Sequence, residues 1–148
     1  MIDIREARKE DIEILYDLII GIAEFHNQEQ YVLTNQEEML RAGFGENPKF
    51  GALIAEYKGK VAGYLSFTWN YSIWNGTDYM NMDDLFVWEA FRGKRVGEEL
   101  MLYAKQLCEN KDISMIRWEV QQDNVKAVSF YNRLGADMYS KGIFRWKF

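Results

Sequence analysis

The feature that most restricts the fold is a block of three strand-like segments that lies between helical segments. Alternating apolar and polar residues predict strands over Phe50–Tyr57, Val61–Trp69 and Tyr79–Trp88. Only Lys58-Gly59-Lys60 separates the first two segments, a turn short enough to make them an antiparallel hairpin. A sheet built from these strands needs helices to cover its apolar surface. The chain is therefore expected to fold as a mixed α/β structure.

The rest of the chain alternates between helical and strand-like periodicity. Helices are predicted over Lys9–Glu24, Thr34–Gly43, Glu98–Asn110 and Asn124–Leu134. Further strands are predicted at Ile2–Ile4 and Met115–Gln121, with one or two short strands in Met138–Phe148. Thr34, with Glu37 three positions later, is the predicted N-cap of the second helix, and Gly135 is the predicted stop of the last. No linker or repeat divides the chain, so one domain over residues 1–148 is expected.

Composition excludes several classes of function. The net charge of −5 argues against a nucleic-acid partner, which would require a basic surface. One Cys and one His are too few for a zinc site, so no metal is expected. No apolar run approaches the roughly 18 residues of a membrane span, and no apolar signal region is apparent. Cys108 is expected to be buried without a disulfide, which fits a cytoplasmic protein.

A glycine-containing basic loop is the strongest candidate for a binding site. Arg92-Gly93-Lys94-Arg95-Val96-Gly97 follows a strand and precedes a helix. Such a loop directs free backbone N–H groups at one point, and the helix dipole adds positive potential there. The arrangement suits a diphosphate; the alternative is a plain strand-to-helix turn with solvated charges.

The second half of the chain resembles the GNAT superfamily of N-acetyltransferases. In the segment from Trp118 to Ala136, Asn124 opens a helix, Ala127 is small, Phe130-Tyr131 follows and Gly135 ends the helix. The resemblance extends over almost the whole chain, and it is greatest to the diamine (spermidine/spermine) acetyltransferase group. Asp83-Asp84-Leu85-Phe86-Val87 and Trp74 are among the shared pieces. One departure is Arg95, which takes a position that is usually glycine.

The resemblance implies the fold, the cofactor and the site. The fold would be a central, mostly antiparallel, twisted sheet flanked by four helices. The cofactor would be acetyl-CoA, attacked directly by an amine in a ternary complex. The resemblance assigns cofactor binding to Leu85, Phe86, Val87, Arg92, Gly93, Lys94, Arg95, Val96, Gly97, Glu98, Asn124, Ala127, Phe130 and Tyr131.

The same resemblance suggests catalytic and acceptor-binding residues. Tyr131 matches the general acid near the sulfur of CoA, and Asp83 matches a substrate-binding acid. Glu119 is a second candidate base, acting through a water. Candidate acceptor-binding residues are His26, Glu29, Trp74, Asp83 and Trp118. For Trp74, an equal alternative is a hydrophobic dimer surface.

Three functions remain open at this point. The first is acetylation of a primary amine in a small polyamine-like, diamine-like or amino-acid-like acceptor. The second applies the same chemistry to a peptide or protein. The third is a dimeric acyl-CoA-binding module without catalysis. A homodimer is expected in each case, because aromatic residues make up 16% of the chain and exceed what one core needs.

Overall fold

Five strands pair in sequential order to form one sheet in the computed structural model, which describes residues 1–148. The strands are β1 (Ile2–Glu6), β2 (Gly51–Tyr57), β3 (Lys60–Ser72), β4 (Thr77–Val87) and β5 (Ile116–Arg117). Strands β1 to β4 are antiparallel, and β5 is parallel to β4. The predicted hairpin is confirmed, although β3 and β4 extend farther than predicted and leave only residues 73–76 between them.

Four helices accompany the sheet, as predicted. They are α1 (Ile12–Phe25), α2 (Gln36–Gly43), α3 (Val96–Glu109) and α4 (Val125–Arg133). A short 3₁₀ turn at Lys9–Asp11 precedes α1, where a longer helix was predicted to start. The predicted N-cap of α2 is wrong: Asn35, and not Thr34, accepts a hydrogen bond from the amide of Glu38, at 2.8 Å. The amide oxygen of Asn35 satisfies a helix-start donor that the Thr34 hydroxyl does not reach.

The chain forms two compact units, residues 1–118 and residues 119–148. In the first unit, Leu15 and Leu18 of α1 pack with Ile54, Tyr64 and Phe86 of the sheet. Side chains alternate along a strand, so the buried residues next to Ile54 in β2 and next to Tyr64 in β3 face the opposite side of the sheet. Helix α3 contacts β1 to β4, and its buried side chains include Leu100 and Cys108. Helices therefore cover both faces, which leaves the strand ends and loops for function.

An ion pair holds the first strand to the start of α1. The guanidinium of Arg5 donates to both carboxylate oxygens of Asp11, at 2.7 and 2.9 Å, and its Nε donates to Glu56 at 3.2 Å. Asp11 also accepts from the backbone amide of Arg8. The side-chain hydrogen bond from Arg5 lowers the pKa of Asp11, so this nearly buried carboxylate stays charged.

The predicted strand over Met115–Gln121 is largely wrong. Only Ile116 and Arg117 pair, with Met80 and Asn81 of β4. Asp83 then forms a β-bulge, since Met82 and Asp84 pair with Phe67 and Ser66 while Asp83 has no partner. A bulge bends its strand and disrupts the ladder locally, and this one lies two residues beyond Asn81, the last residue of β4 that pairs with β5.

The second unit contains α4 and the C-terminal segment, defined as residues 136–148. Asn124 caps α4 by accepting from the amide of Ala127 at 3.2 Å, as predicted. Gly135 has φ 90°, so the predicted glycine stop is also confirmed. The predicted strands in Met138–Phe148 do not form, because no strand of this chain pairs with that segment. No helix has the length and apolar character needed to cross a membrane.

Candidate active site

The basic loop connects β4 to α3, as the sequence predicted. Gly93 has φ 75°, and a Cβ there would meet no atom within 4 Å, so this side of the loop is open. Arg95 has φ 68° and ψ 15°, a left-handed conformation that favours glycine and costs a larger residue about 1 kcal/mol. The first hydrogen bond of the helix runs from the amide of Glu99 to the carbonyl of Arg95. The amides of Val96 and Gly97 precede it and have no acceptor within the helix.

The three cations of the loop all have partners within the protein. The guanidinium of Arg92 lies 4.5 Å from the ring centre of Phe25, and its Nε donates to the Val87 carbonyl at 3.0 Å. The Lys94 ammonium lies 5.6 Å from the ring centre of Tyr57. The Nε of Arg95 donates to Glu98 at 2.9 Å. The loop therefore presents its backbone while its side chains contact neighbouring elements.

One edge of β4 is open beside this loop. Leu85, Phe86 and Val87 pair with β3 on one side, whereas the ladder with β5 ends at Asn81. An extended ligand with amide groups can therefore hydrogen-bond to this edge as an added strand would. Phe86 is buried, and the carbonyl of Val87 already accepts from Arg92.

Two adjacent carboxylates lie at the bulge of β4. Asp83 is exposed and accepts from the side-chain amide of Asn81 at 3.1 Å. Desolvation raises the pKa of Asp83, and the charge of Asp84 raises it further. The bulge interrupts the alternation that would otherwise direct these two adjacent side chains to opposite sides of the strand.

Sequence reasoning missed the network around the second carboxylate. The hydroxyl of Tyr64, a fully buried residue, donates to Asp84 at 2.8 Å, and the Ser66 hydroxyl is 3.5 Å from the same oxygen. Tyr64 and Ser66 are two residues apart on β3, and Ser66 is the cross-strand partner of Asp84. Their spacing was visible in the sequence, but the register that brings them to Asp84 was not.

The predicted acceptor-binding residues of the first unit occupy separate places. His26 directly follows α1 and is exposed, with its ring edge-on to Phe25 at 5.1 Å. Glu29 is exposed in the next turn. Trp74 is 99% exposed at the tip of the β3–β4 hairpin, so in the single chain it lines no pocket. Trp118 is partly buried.

In the second unit, the predicted residues lie along α4 and just before it. Glu119 is exposed, while Phe130 and Tyr131 are partly buried with ring centres 5.2 Å apart. Burial raises the pKa of Tyr131 to about 12, so its phenol stays protonated at neutral pH. Asn124 and Ala127 form the cap of this helix.

Two further groups bear on the chemistry. Burial raises the pKa of the Cys108 thiol to about 11, so at neutral pH the residue is a protonated thiol rather than a nucleophile. No group of three or more His, Cys, Asp or Glu side chains is arranged to hold a metal ion.

Residues 12–136 match the family described as the acetyltransferase (GNAT) family. The mouse thialysine N-epsilon-acetyltransferase is 34% identical over 141 residues, which cover 90% of this chain and 82% of that protein. The human spermidine/spermine N(1)-acetyltransferase-like protein 1 is 27% identical and covers 90% of this chain, although the match spans only 20% of that longer protein.

A solved structure agrees with the fold. The aminoglycoside N-acetyltransferase AAC(6')-Iy in complex with CoA superposes with a TM-score of 0.77 at 21% identity, covering 99% of this chain and 95% of that chain. Together with the sheet order and the four helices, these matches confirm the fold that the resemblance implied. The family uses acetyl-CoA as acetyl donor, and the chain is an acetyltransferase that belongs to the GNAT family.

Proposed function

We propose that residues 1–148 act as one catalytic domain that transfers an acetyl group from acetyl-CoA to a primary amine. The observation that carries this proposal is the loop from Arg92 to Gly97, which opens α3 beside the open edge of β4. The acceptor is a small polyamine-like, diamine-like or amino-acid-like molecule. The amine attacks directly in a ternary complex, so the reaction needs neither an acyl-enzyme nor a metal.

The donor is held mainly by backbone groups in this proposal. The amides of Val96 and Gly97 bind the diphosphate at the positive end of the α3 dipole. Leu85 to Val87 offer their main chain to the pantetheine arm. In the second unit, the small side chain of Ala127 leaves space at the start of α4, where Asn124 fixes the helix.

Tyr131 is the proposed hydrogen-bond donor to the departing sulfur. Its phenol is protonated throughout the neutral range, because burial raises its pKa to about 12. An ordinary thiol has a pKa of about 8.5, so complete proton transfer from this phenol to a thiolate is uphill. Tyr131 therefore stabilises the developing negative charge on sulfur, a contribution that grows toward the transition state.

Asp83 is the proposed base. A free alkyl ammonium has a pKa of about 10 and must lose a proton before its nitrogen can attack. The raised pKa of Asp83 makes it a stronger base than an ordinary aspartate. Glu119 is the alternative, acting through a water. In the balanced reaction, the ammonium first gives one proton to the base, and the free amine nitrogen then bonds to the carbonyl carbon. As the carbon–sulfur bond breaks, the nitrogen releases its second proton; one of the two protons is taken up by the sulfur through solvent to give the CoA thiol, and the other leaves to solvent.

Charge and relatives support a cationic acceptor. The chain carries a net charge of −5, and two adjacent carboxylates lie at the bulge of β4. His26 and Glu29 follow the end of α1, and they are proposed to contact the acceptor with Trp118. The mouse relative is a thialysine N-epsilon-acetyltransferase and the human relative is a spermidine/spermine N(1)-acetyltransferase-like protein; thialysine, spermidine and spermine all carry primary amines.

A homodimer in the cytoplasm is part of the proposal. In the first unit, Ile73 and Trp74 are 85% and 99% exposed at the hairpin tip. In the second unit, Phe144, Trp146 and Phe148 of the C-terminal segment are equally exposed. Exposed large apolar side chains are typical of interfaces, and in each unit a second copy of the chain is the proposed occupant. A monomeric mass by light scattering across micromolar concentrations would contradict this part.

The deciding experiment is an assay of a panel of amines that follows release of the free CoA thiol. Diamines, polyamines and basic amino acids are compared with peptides. Tyr131→Phe is expected to lower kcat about 10²-fold while CoA affinity stays near the wild-type value, because the ring is retained. Tyr139→Phe is the matched control, since Tyr139 is an exposed tyrosine of the same unit.

Each alternative has a distinct outcome in this assay. Turnover of peptides without turnover of small amines would favour a peptide or protein acetyltransferase. Binding of CoA without turnover of any amine would favour a non-catalytic acyl-CoA-binding module. Equal rates for Tyr131→Phe and the wild type would show that Tyr131 does not assist departure of the sulfur.

A further inference from the structure

The side chain of Arg92 contacts aromatic rings and a backbone carbonyl of the protein itself. As the first cation of the loop, it was expected to bind the diphosphate. Its guanidinium instead lies over the ring of Phe25 at 4.5 Å and near that of Phe86 at 5.9 Å. Its Nε donates to the Val87 carbonyl at 3.0 Å. A flat guanidinium can stack on a ring while one N–H donates in its plane, a combination that a lysine ammonium does not reproduce.

These contacts join three parts of the first unit. Phe25 is the last residue of α1, Phe86 and Val87 end β4, and Arg92 begins the loop. The chain continues from Phe25 directly into His26, whose ring is edge-on to Phe25 at 5.1 Å. The contact between Arg92 and Phe25 therefore connects the proposed cofactor loop with the proposed acceptor-binding segment.

A second aromatic contact supports the other side of the loop. The ring of Tyr57, at the end of β2, lies 5.9 Å from that of Phe91 and 5.6 Å from the ammonium of Lys94. The loop is thus supported by two aromatic residues, Tyr57 and Phe25. Of these two aromatic residues, Phe25 lies at the end of helix α1 rather than in the sheet, and it is 57% exposed.

We propose that Arg92 is a positioning residue that acts through Phe25 to set the loop and the end of α1 together. This inference rests on the proposed function, because it assigns the loop to CoA. Arg92 supports the backbone amides of the loop rather than supplying a charge to the phosphates. CoA binding and the placement of His26 are consequently coupled through one aromatic contact.

The test separates a positioning role from direct phosphate contact. Phe25→Leu removes the ring without changing any charge, and Arg92→Lys keeps the charge but loses the planar contact. Dissociation constants of CoA are measured by calorimetry at low and high salt, for both variants and for the double variant. Each single variant is expected to weaken CoA binding about fivefold, the equivalent of one partly exposed cation–π contact.

The double variant is expected to bind no more weakly than the weaker single variant, because both changes remove the same contact. Phe25→Tyr is expected to bind like the wild type, since it retains the ring. Phe25→Leu is expected to leave the salt dependence of binding unchanged and to raise the KM for the acceptor amine. A purely structural loss of folding would not give this pattern, and melting curves check each variant.

Matched controls for both changes lie in helix α2 and at the residue that directly follows it. Phe44→Leu alters an aromatic residue that packs on Phe50 at 6.2 Å, and Arg41→Lys alters an arginine that pairs with Glu38. Neither is expected to change CoA binding. Wild-type affinity in Arg92→Lys or Phe25→Leu, or additive losses in the double variant, would overturn the positioning role. Absence of CoA binding in the wild type would instead overturn the proposed function, and this inference with it.

Discussion

The sheet and the C-terminal segment place similar aromatic residues in opposite environments. Phe67 and Phe86 of the sheet are 4% and 6% exposed, whereas Phe144 and Phe148 of the C-terminal segment are 103% and 109% exposed. Both stretches have the aromatic composition of strands. The strands β3 and β4 each have a neighbour on both sides, while no strand pairs with the C-terminal segment. Strand-forming residues therefore need a partner, and composition alone does not provide one.

The largest effect should come from removing equivalent phenylalanines in the two regions. Phe67→Ala is expected to lower the free energy of unfolding by about 3–5 kcal/mol, because it leaves a cavity against the sheet. Phe144→Ala is expected to change the stability of the monomer little and to weaken dimerisation. Urea unfolding at two protein concentrations measures both effects. An equal loss from Phe144→Ala at a concentration where the protein is monomeric would contradict the comparison.

The second largest loss of stability should come from removing a buried charge rather than an apolar side chain. Asp11→Asn is expected to lower the free energy of unfolding by about 2 kcal/mol at pH 7, because Arg5 then loses its charged partner. Asp137→Asn changes an exposed aspartate at the start of the C-terminal segment and is expected to have no effect.

The difference in stability between the wild type and Asp11→Asn should decrease at acid pH. The pKa of Asp11 is lower in the folded protein than in the unfolded chain. Its contribution to stability is therefore complete above the unfolded value of about 3.9 and is lost as the pH falls through the folded value. The melting temperatures of the wild type and Asp11→Asn should begin to approach each other as the pH falls below about 4, and they should coincide only below the folded pKa of Asp11. A difference that persisted at lower pH would show that the ion pair is not its source.

Helix caps allow a smaller and closely matched comparison of the two units. Asn35 caps α2 in the first unit, and Asn124 caps α4 in the second. Replacing either by Ala is expected to cost about 1 kcal/mol. If the chain is one domain, calorimetry should show a single transition that shifts in both variants. A separate early transition in Asn124→Ala alone would show that residues 119–148 unfold on their own.

Local patterns predicted the fold well wherever the determinants were close in sequence. The hairpin at Lys58-Gly59-Lys60, the periodicity of α3, the cap at Asn124 and the stop at Gly135 all rely on neighbours within a few residues. The errors arose where a distant partner decides the outcome. The pairing of β5 ends just before the bulge at Asp83, which only the register between β3 and β4 reveals.

In the candidate site, too, features set by nearby residues could be predicted from the sequence, whereas contacts between distant residues could not. The position of the basic loop could be anticipated from residue order, whereas only the resemblance drew attention to Arg95, which stands where glycine is usual and adopts a left-handed conformation. The contacts of Arg92 with Phe25, and of Tyr64 with Asp84, join residues that are far apart in the chain. Nothing in the local sequence indicates them, because they depend on how α1 and β3 pack against β4.

The smallest predicted effect is a gain in stability within the well-packed first unit. Arg95→Gly removes the strain of a non-glycine residue at φ 68°, about 1 kcal/mol, and also removes a solvent-exposed ion pair with Glu98, which offsets part of that gain. The net stabilisation should therefore be below about 1 kcal/mol. Lys58→Gly is the control, because Lys58 has φ 51° in the tight turn and its ammonium contacts the ring of Tyr57 at 5.5 Å rather than a carboxylate, so it tests the backbone strain without an ion pair. Urea unfolding of both variants measures the gains. A loss of stability in Arg95→Gly would mean that the contact with Glu98 outweighs the backbone strain at the start of α3.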